Sequence, residues 1–114
     1  MVKTVASKNR LRDLWADDVH SMALGTGSTP LTGTETSIEG EDSNTVVLNP
    51  TIVKTDRTVK TTHSLPSTVG IGTDYNKIGI KTNGGNTLDD IMIFPTYSQT
   101  DTTELITTVT TRFS

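Results

Sequence analysis

Threonine occupies 24 of the 114 positions, and that bias restricts the available folds more than any other feature of the chain. A β-branched side chain loses rotamer freedom in a helix but sits well on a pleated, half-solvated strand. The threonines run from Thr4 to Thr111, so sheet is the expectation along almost the whole length. Only 32% of residues are hydrophobic and 4% aromatic, so the core that these strands enclose must be thin. Many strands around a thin core leave edges unpaired, and neighbours in an oligomer relieve both deficits. Residues 1–114 are expected to form one domain, because half this length would not support a core of its own.

Charge removes several classes of partner. The net charge of -3 and the pI near 5.2 argue against nucleic acid and against anionic membrane, since both call for clustered Lys and Arg. With no cysteine, disulfides, thiolate metal sites and a Cys nucleophile are excluded. No apolar run approaches the roughly 18 residues of a membrane span. Met1 to Arg10 lacks the apolar centre of a signal peptide, so no leader is expected. The one Asn-x-Thr triplet, Asn49-Pro50-Thr51, is barred from glycosylation by its proline.

One helix is expected near the start, capped by Ser7, with Leu11, Leu14 and Trp15 on one apolar face and an end near Asp17-Asp18. Strands follow at Val19 to Leu24, Thr45 to Val53, Thr55 to Ser64, Val69 to Gly72, Asn76 to Thr82, Ile91 to Phe94 and Thr103 to Phe113. Thr73-Asp74-Tyr75 reads as a turn, and Asn83-Gly84-Gly85-Asn86 supplies the residues that a tight reversal needs. Between Gly25 and Asp42 only Leu31 and Ile38 could anchor the chain, so this segment is expected to be a long exposed loop, with Thr29 to Asp42 poorly ordered in a monomer. The spacing predicts an all-β fold: a small antiparallel β-sandwich or open barrel of about seven strands with one short N-terminal helix.

No residue pattern calls for catalysis. His20 and His63 are the only imidazoles, and both fall within strands, where a structural role is the simpler reading. Asp17-Asp18, Glu39-Gly40-Glu41-Asp42 and Asp89-Asp90 lack the alternating spacing of a calcium loop. Gly25-Thr26-Gly27 is followed by Pro30 rather than by Gly-Lys-Ser/Thr, and no serine stands in Gly-x-Ser-x-Gly. No enzymatic activity, cofactor or metal is expected.

The run Ser21-Met22-Ala23-Leu24-Gly25-Thr26-Gly27-Ser28-Thr29-Pro30, with Thr34 to Glu41 after it, resembles a segment of small structural proteins and tail-collar fibre N-termini of tailed viruses. Ile78-Gly79-Ile80, Ile91 to Pro95 and Glu104 to Ser114 are similar to the later strands of that family. The sequence departs from it in having Ile38 in place of a leucine, no arginine after it, and Lys77 rather than Glu before Ile78. It also lacks the C-terminal repeats of long fibres. The resemblance implies a virion protein of the tail or baseplate, a homo-oligomer that also binds other virion proteins, with capsid decoration or turret protein as the alternative. A carbohydrate-binding sandwich is a further alternative, although Trp15, Tyr75 and Tyr97 are few for a sugar platform. The residues expected to make the interface are Gly25, Thr26, Gly27, Pro30, Leu31 and Ile38 in the loop, and Glu104, Ile106 and Phe113 in the last strand.

Overall fold

A helix that begins at a side-chain cap opens the chain in the computed structural model, which describes residues 4–113. Helix α1 spans Val5–Asp18, and its cap is Thr4, whose side chain accepts the Ser7 N–H, rather than Ser7 as the sequence suggests. The expected apolar face is not buried as a unit. Leu11 and Leu14 are exposed, and only Ala16 and part of Trp15 turn inward. Trp15 lies against Phe113 with ring centroids 5.8 Å apart and planes tilted by 59°, within the centroid range of favourable aromatic pairs. Arg12 donates to the Thr55 carbonyl (2.7 Å), so α1 is tied to the turn of a hairpin and not to the centre of a sheet.

The described residues then form seven strands: β1 (Val19–Gly25), β2 (Val47–Leu48), β3 (Thr51–Thr55), β4 (Thr58–Leu65), β5 (Asp74–Thr82), β6 (Thr87–Ser98) and β7 (Leu105–Arg112). They build two antiparallel sheets, ordered β2-β1-β5-β6 and β3-β4-β7. The all-β expectation holds, and four boundaries change. The Thr45 to Val53 stretch is split at Asn49-Pro50, where Asn49 takes a φ of 50°, and its halves enter different sheets. Pro50 cannot donate to a ladder, so it marks the crossing between sheets rather than an edge position within a strand. Val69 to Gly72 is a turn, Asp74 and Tyr75 begin β5, and β6 extends well beyond Ile91 to Phe94. The Asn83–Gly85 reversal falls where expected, with positive φ at all three residues.

The core lies between the sheets. Met22 pairs with Ile80 and Leu24 with Ile78 on the inner face of β1 and β5. They meet Leu65 of β4 and Val109 of β7, both buried. His63 joins them fully buried, with Nε2 donating to the Thr45 carbonyl at 2.6 Å and Nδ1 without a partner. A carbonyl can only accept, so Nε2 carries the proton of the neutral ring. A second proton would have to sit on the unpartnered Nδ1, and desolvation pushes the His63 pKa down from its ordinary 6.5.

Two predictions follow from this packing. Above about pH 6.5 His63 is neutral in both folded and unfolded chains and leaves stability unchanged. Below it the unfolded chain takes up a proton that the folded chain resists, so stability falls as the pH drops. The urea midpoint is therefore expected to be lower at pH 5.5 than at pH 7.5, with the difference reduced in His63→Gln, whose amide can donate in place of Nε2. An equal loss in the variant would assign the acid sensitivity to other groups. Gly79→Val is expected to cost about 2 kcal/mol through overpacking, because a Cβ at Gly79 would lie 2.5 Å from Ile38 Cδ1. Thermal melting checks it, and an unchanged midpoint would mean that Ile38 can leave its seat without loss.

Candidate assembly interface

The segment expected to be a loose loop is a strap bound across the outer face of the four-stranded sheet. Small residues make room for it: Ala23 pairs with Gly79 and Gly25 with Lys77, leaving a shallow floor on that face of β1 and β5. Ile38 fills the floor above Gly25 and Gly79 and is 4% exposed. The Thr26 N–H donates to the Glu39 carbonyl (3.1 Å) and the Asp42 N–H to the Leu24 carbonyl (3.0 Å), so the strap is hydrogen-bonded at both ends. At the tip, Glu35 accepts the Thr32 N–H (2.7 Å) and the Gly33 N–H (2.9 Å). Those bonds, that from the Thr32 backbone foremost, hold its carboxyl down at about 2.

Ion pairs fix the strap to β5. Lys77 is 1% exposed and its ammonium bonds the Glu39 carboxylate, which also accepts the Thr29 hydroxyl and N–H. Lys81 pairs with Glu41 at 2.6 Å. Tyr75, fully buried, donates to Asp42 at 2.7 Å, and burial followed by the neighbouring Asp42 charge pushes its phenol up to about 12. Thr45 closes the end of the strap. Its hydroxyl donates to the Asp42 carbonyl (2.6 Å) and accepts the Leu24 N–H (2.9 Å), while its carbonyl takes His63 from the other sheet.

These contacts redistribute the expected interface residues. Gly25 and Ile38 are buried inside the chain and offer nothing to a partner. Thr26 is half-buried and committed through its backbone to Glu39, and Gly27, at a φ of 117°, lies against the Glu39 side chain with its carbonyl bonded by Asn76. Phe113 is half-buried on Trp15 and is engaged by the chain's own helix. Pro30 is exposed and Leu31 half-buried on the strap, while Glu104 and Ile106 are exposed at the three-stranded sheet.

What the fold does place at the surface is a strand edge. Strand β7 pairs only with β4, through eight unbroken positions from Thr58↔Arg112 to Leu65↔Leu105. Its outer face carries Ile106, Thr108, Thr110 and Arg112, all exposed, beside Thr51, Thr62 and Ser64 of the neighbouring strands. Between β6 and β7 lies a cleft of about 400 Å³, lined by Ile80, Met92 and Val109, by Asp90 and Thr110, and by Gly33 and Glu35 of the strap tip. Asp90 reaches across it to accept the Thr111 hydroxyl at 2.9 Å, and burial keeps its carboxyl above the ordinary range.

Neither histidine is arranged for chemistry: His63 is committed to Thr45, and His20 contacts the Ser21 hydroxyl at 3.1 Å. Among the described residues no group of three or more His, Asp or Glu side chains could hold a metal ion. Searches of family models, of curated proteins and of solved structures find no match to this chain.

The pair of Glu39 with Lys77 was hidden in the sequence, yet it left a trace. Ala23-x-Gly25 on β1 and Gly79 on β5 put small residues on one face of two paired strands, the pattern of a face that something covers closely. Lys77, followed by Thr29, holds the Glu39 carboxyl at about 2 against an ordinary 4.5. A depressed carboxyl contributes stability that is complete above the ordinary value and is lost as the pH falls toward the folded one. Unfolding midpoints measured from pH 5 to pH 2 are expected to fall less steeply in Glu39→Gln than in the wild type. Parallel slopes would show that the strap does not depend on this carboxylate.

Proposed function

We propose that this chain is a structural subunit of a tailed-virus virion, in the tail or baseplate where fibres attach, working by assembly with copies of itself and with other virion proteins. The observation that carries the reading is the uncovered β7 edge on a small domain whose other sheet is shielded by its own strap. A long, regular strand edge with free N–H and C=O groups is a template for another strand, and a chain that keeps one exposed has a use for it. The resemblance of Ser21 to Glu41 to virion proteins supplies the setting.

The sugar-binding alternative loses ground with the aromatic rings. Trp15 is packed against Phe113, Tyr75 is buried, and Tyr97 is half-buried and bonded to Thr103 at 2.7 Å. None of them forms the open platform on which a pyranose ring stacks.

An antibody raised against the purified chain is expected to label the tail or baseplate of intact particles from the source of this sequence, as seen by electron microscopy. Labelling of the capsid shell would move the subunit to a decoration role. A chain found only in the soluble fraction, with unlabelled particles, would overturn the virion reading.

A further inference from the structure

Four strands bound the two sheets, and three of their edges are blunted. Strand β2 has two residues. Strand β3 has five, carries the charged Lys54, and has its Thr55 carbonyl taken by Arg12. Strand β6 is long but contains Pro95 and the Asp89-Asp90 pair, and its pairing with β5 shifts register at two places. Short length, charge, proline and bulges are the standard ways in which a sheet discourages edge pairing. Strand β7 is neither short nor interrupted: it has eight residues, six of them β-branched, without Pro, Gly or Lys and in unbroken register with β4, and its one charge, Arg112, stands at its last position. The one edge left open is therefore also the one best suited to accept a strand.

We propose that β7 pairs antiparallel with β7 of a second copy, about a two-fold axis through Thr108, joining two three-stranded sheets into one of six strands. Two constraints select this register. In a continuous sheet, residues of the outer face must oppose residues of the outer face. Glu104 and Arg112, at the two ends of the segment, are both exposed and of opposite charge, and Arg112 has no ion-pair partner among the described residues. The Glu104 side chain sits on the outer face, where it accepts the Ser64 hydroxyl. An axis at Thr108 puts Glu104 of each copy opposite Arg112 of the other, twice by symmetry. It also sets Ile106 against Thr110 and Thr108 against itself. An axis at Thr107 or Val109 breaks both charge pairs.

Backbone hydrogen bonds and β-branched cross-strand pairs hold such a contact, and the terminal charges choose its register. A two-fold contact of this kind is isologous, so one patch serves both partners and the assembly closes. The 61% exposed Ile106 is covered in the process. This inference rests on reading the chain as a self-assembling subunit.

Light scattering over a concentration series, with the full-length chain, tests both. The wild type is expected to reach at least twice the monomer mass. Glu104→Arg and Arg112→Glu are each expected to shift the mass toward the monomer, because each places like charges together, and the double variant is expected to restore it. Circular dichroism melts report whether each variant is folded. The chain has no cysteine of its own, so Thr108→Cys gives a second reading that leaves the charges in place. Mild oxidation should link it into a covalent dimer, whereas Thr62→Cys, one strand inward on the same face, should stay unlinked. A wild type that oligomerises while both single reversals keep its mass and Thr108→Cys fails to crosslink overturns the β7 contact and leaves self-assembly standing. A wild type that remains monomeric at every concentration overturns self-assembly and this contact together.

Discussion

The β1–β5 pair is buried on both faces, and everything else in the molecule is arranged around that demand. An antiparallel sheet usually keeps one face wet. Here Met22, Leu24, Ile78 and Ile80 face the second sheet, while Ser21, Ala23, Lys77 and Gly79, on the opposite face, are shielded as well. A chain with so few apolar residues cannot supply a third layer, so it uses a single isoleucine on a strap. Ile38 works in that role because Gly25 and Gly79 let it approach the backbone, and a Cβ at either position would collide with it. Lys77 then needs a partner. The strap shuts its ammonium away from water, and a buried cation is tolerated only when it is paired and hydrogen-bonded. Glu39, the residue next to Ile38, provides that partner.

Polar groups take over other tasks that a larger apolar core would perform. Thr45 joins the strap to both sheets through one hydroxyl and one carbonyl. Gln99, 2% exposed, bonds the Pro66 carbonyl and fastens the β6–β7 connection beneath the Pro66–Thr73 turn. Tyr75 ties Asp42 to β5. Such networks make the fold specific, since each donor has few acceptable partners, and they also make it sensitive to acid through the groups that must keep their charge or their neutrality.

The sheet class was legible because threonine content and the period-2 alternation of Thr103 to Phe113 both report a pleated surface, and β7 keeps that alternation residue by residue. The reversal at Asn83 to Asn86 was legible from its side chains alone. The helix face was not. Leu11 and Leu14 have helical spacing, but α1 docks at the end of a hairpin, where only Trp15 and Ala16 find cover. Ile38 was read as a docking residue because an isolated apolar residue in a polar run looks the same whether it awaits a partner or plugs its own sheet. Nothing within residues 29–42 distinguishes these cases. The distinguishing signal lies elsewhere in the chain, in Ala23 and Gly25 of β1 and Gly79 of β5, which form the seat.

The same economy explains why β7 can be left open. An apolar edge would associate indiscriminately, and a lysine-studded one would not associate at all. Threonine lies between these limits: its hydroxyls keep the outer face hydrated while the monomer is free, and its β-branched carbon favours the extended backbone that a second strand needs. Polar uniformity has a cost in register, because Thr107, Thr108, Thr110 and Thr111 are nearly interchangeable when one strand slides past another. Unlike charges at the two ends of such a strand remove that degeneracy, since any slip separates both pairs at once. In β7 the hydrophobic pattern fixes which face is inward within the chain, and the positions of Glu104 and Arg112 are what remain to fix alignment beyond it.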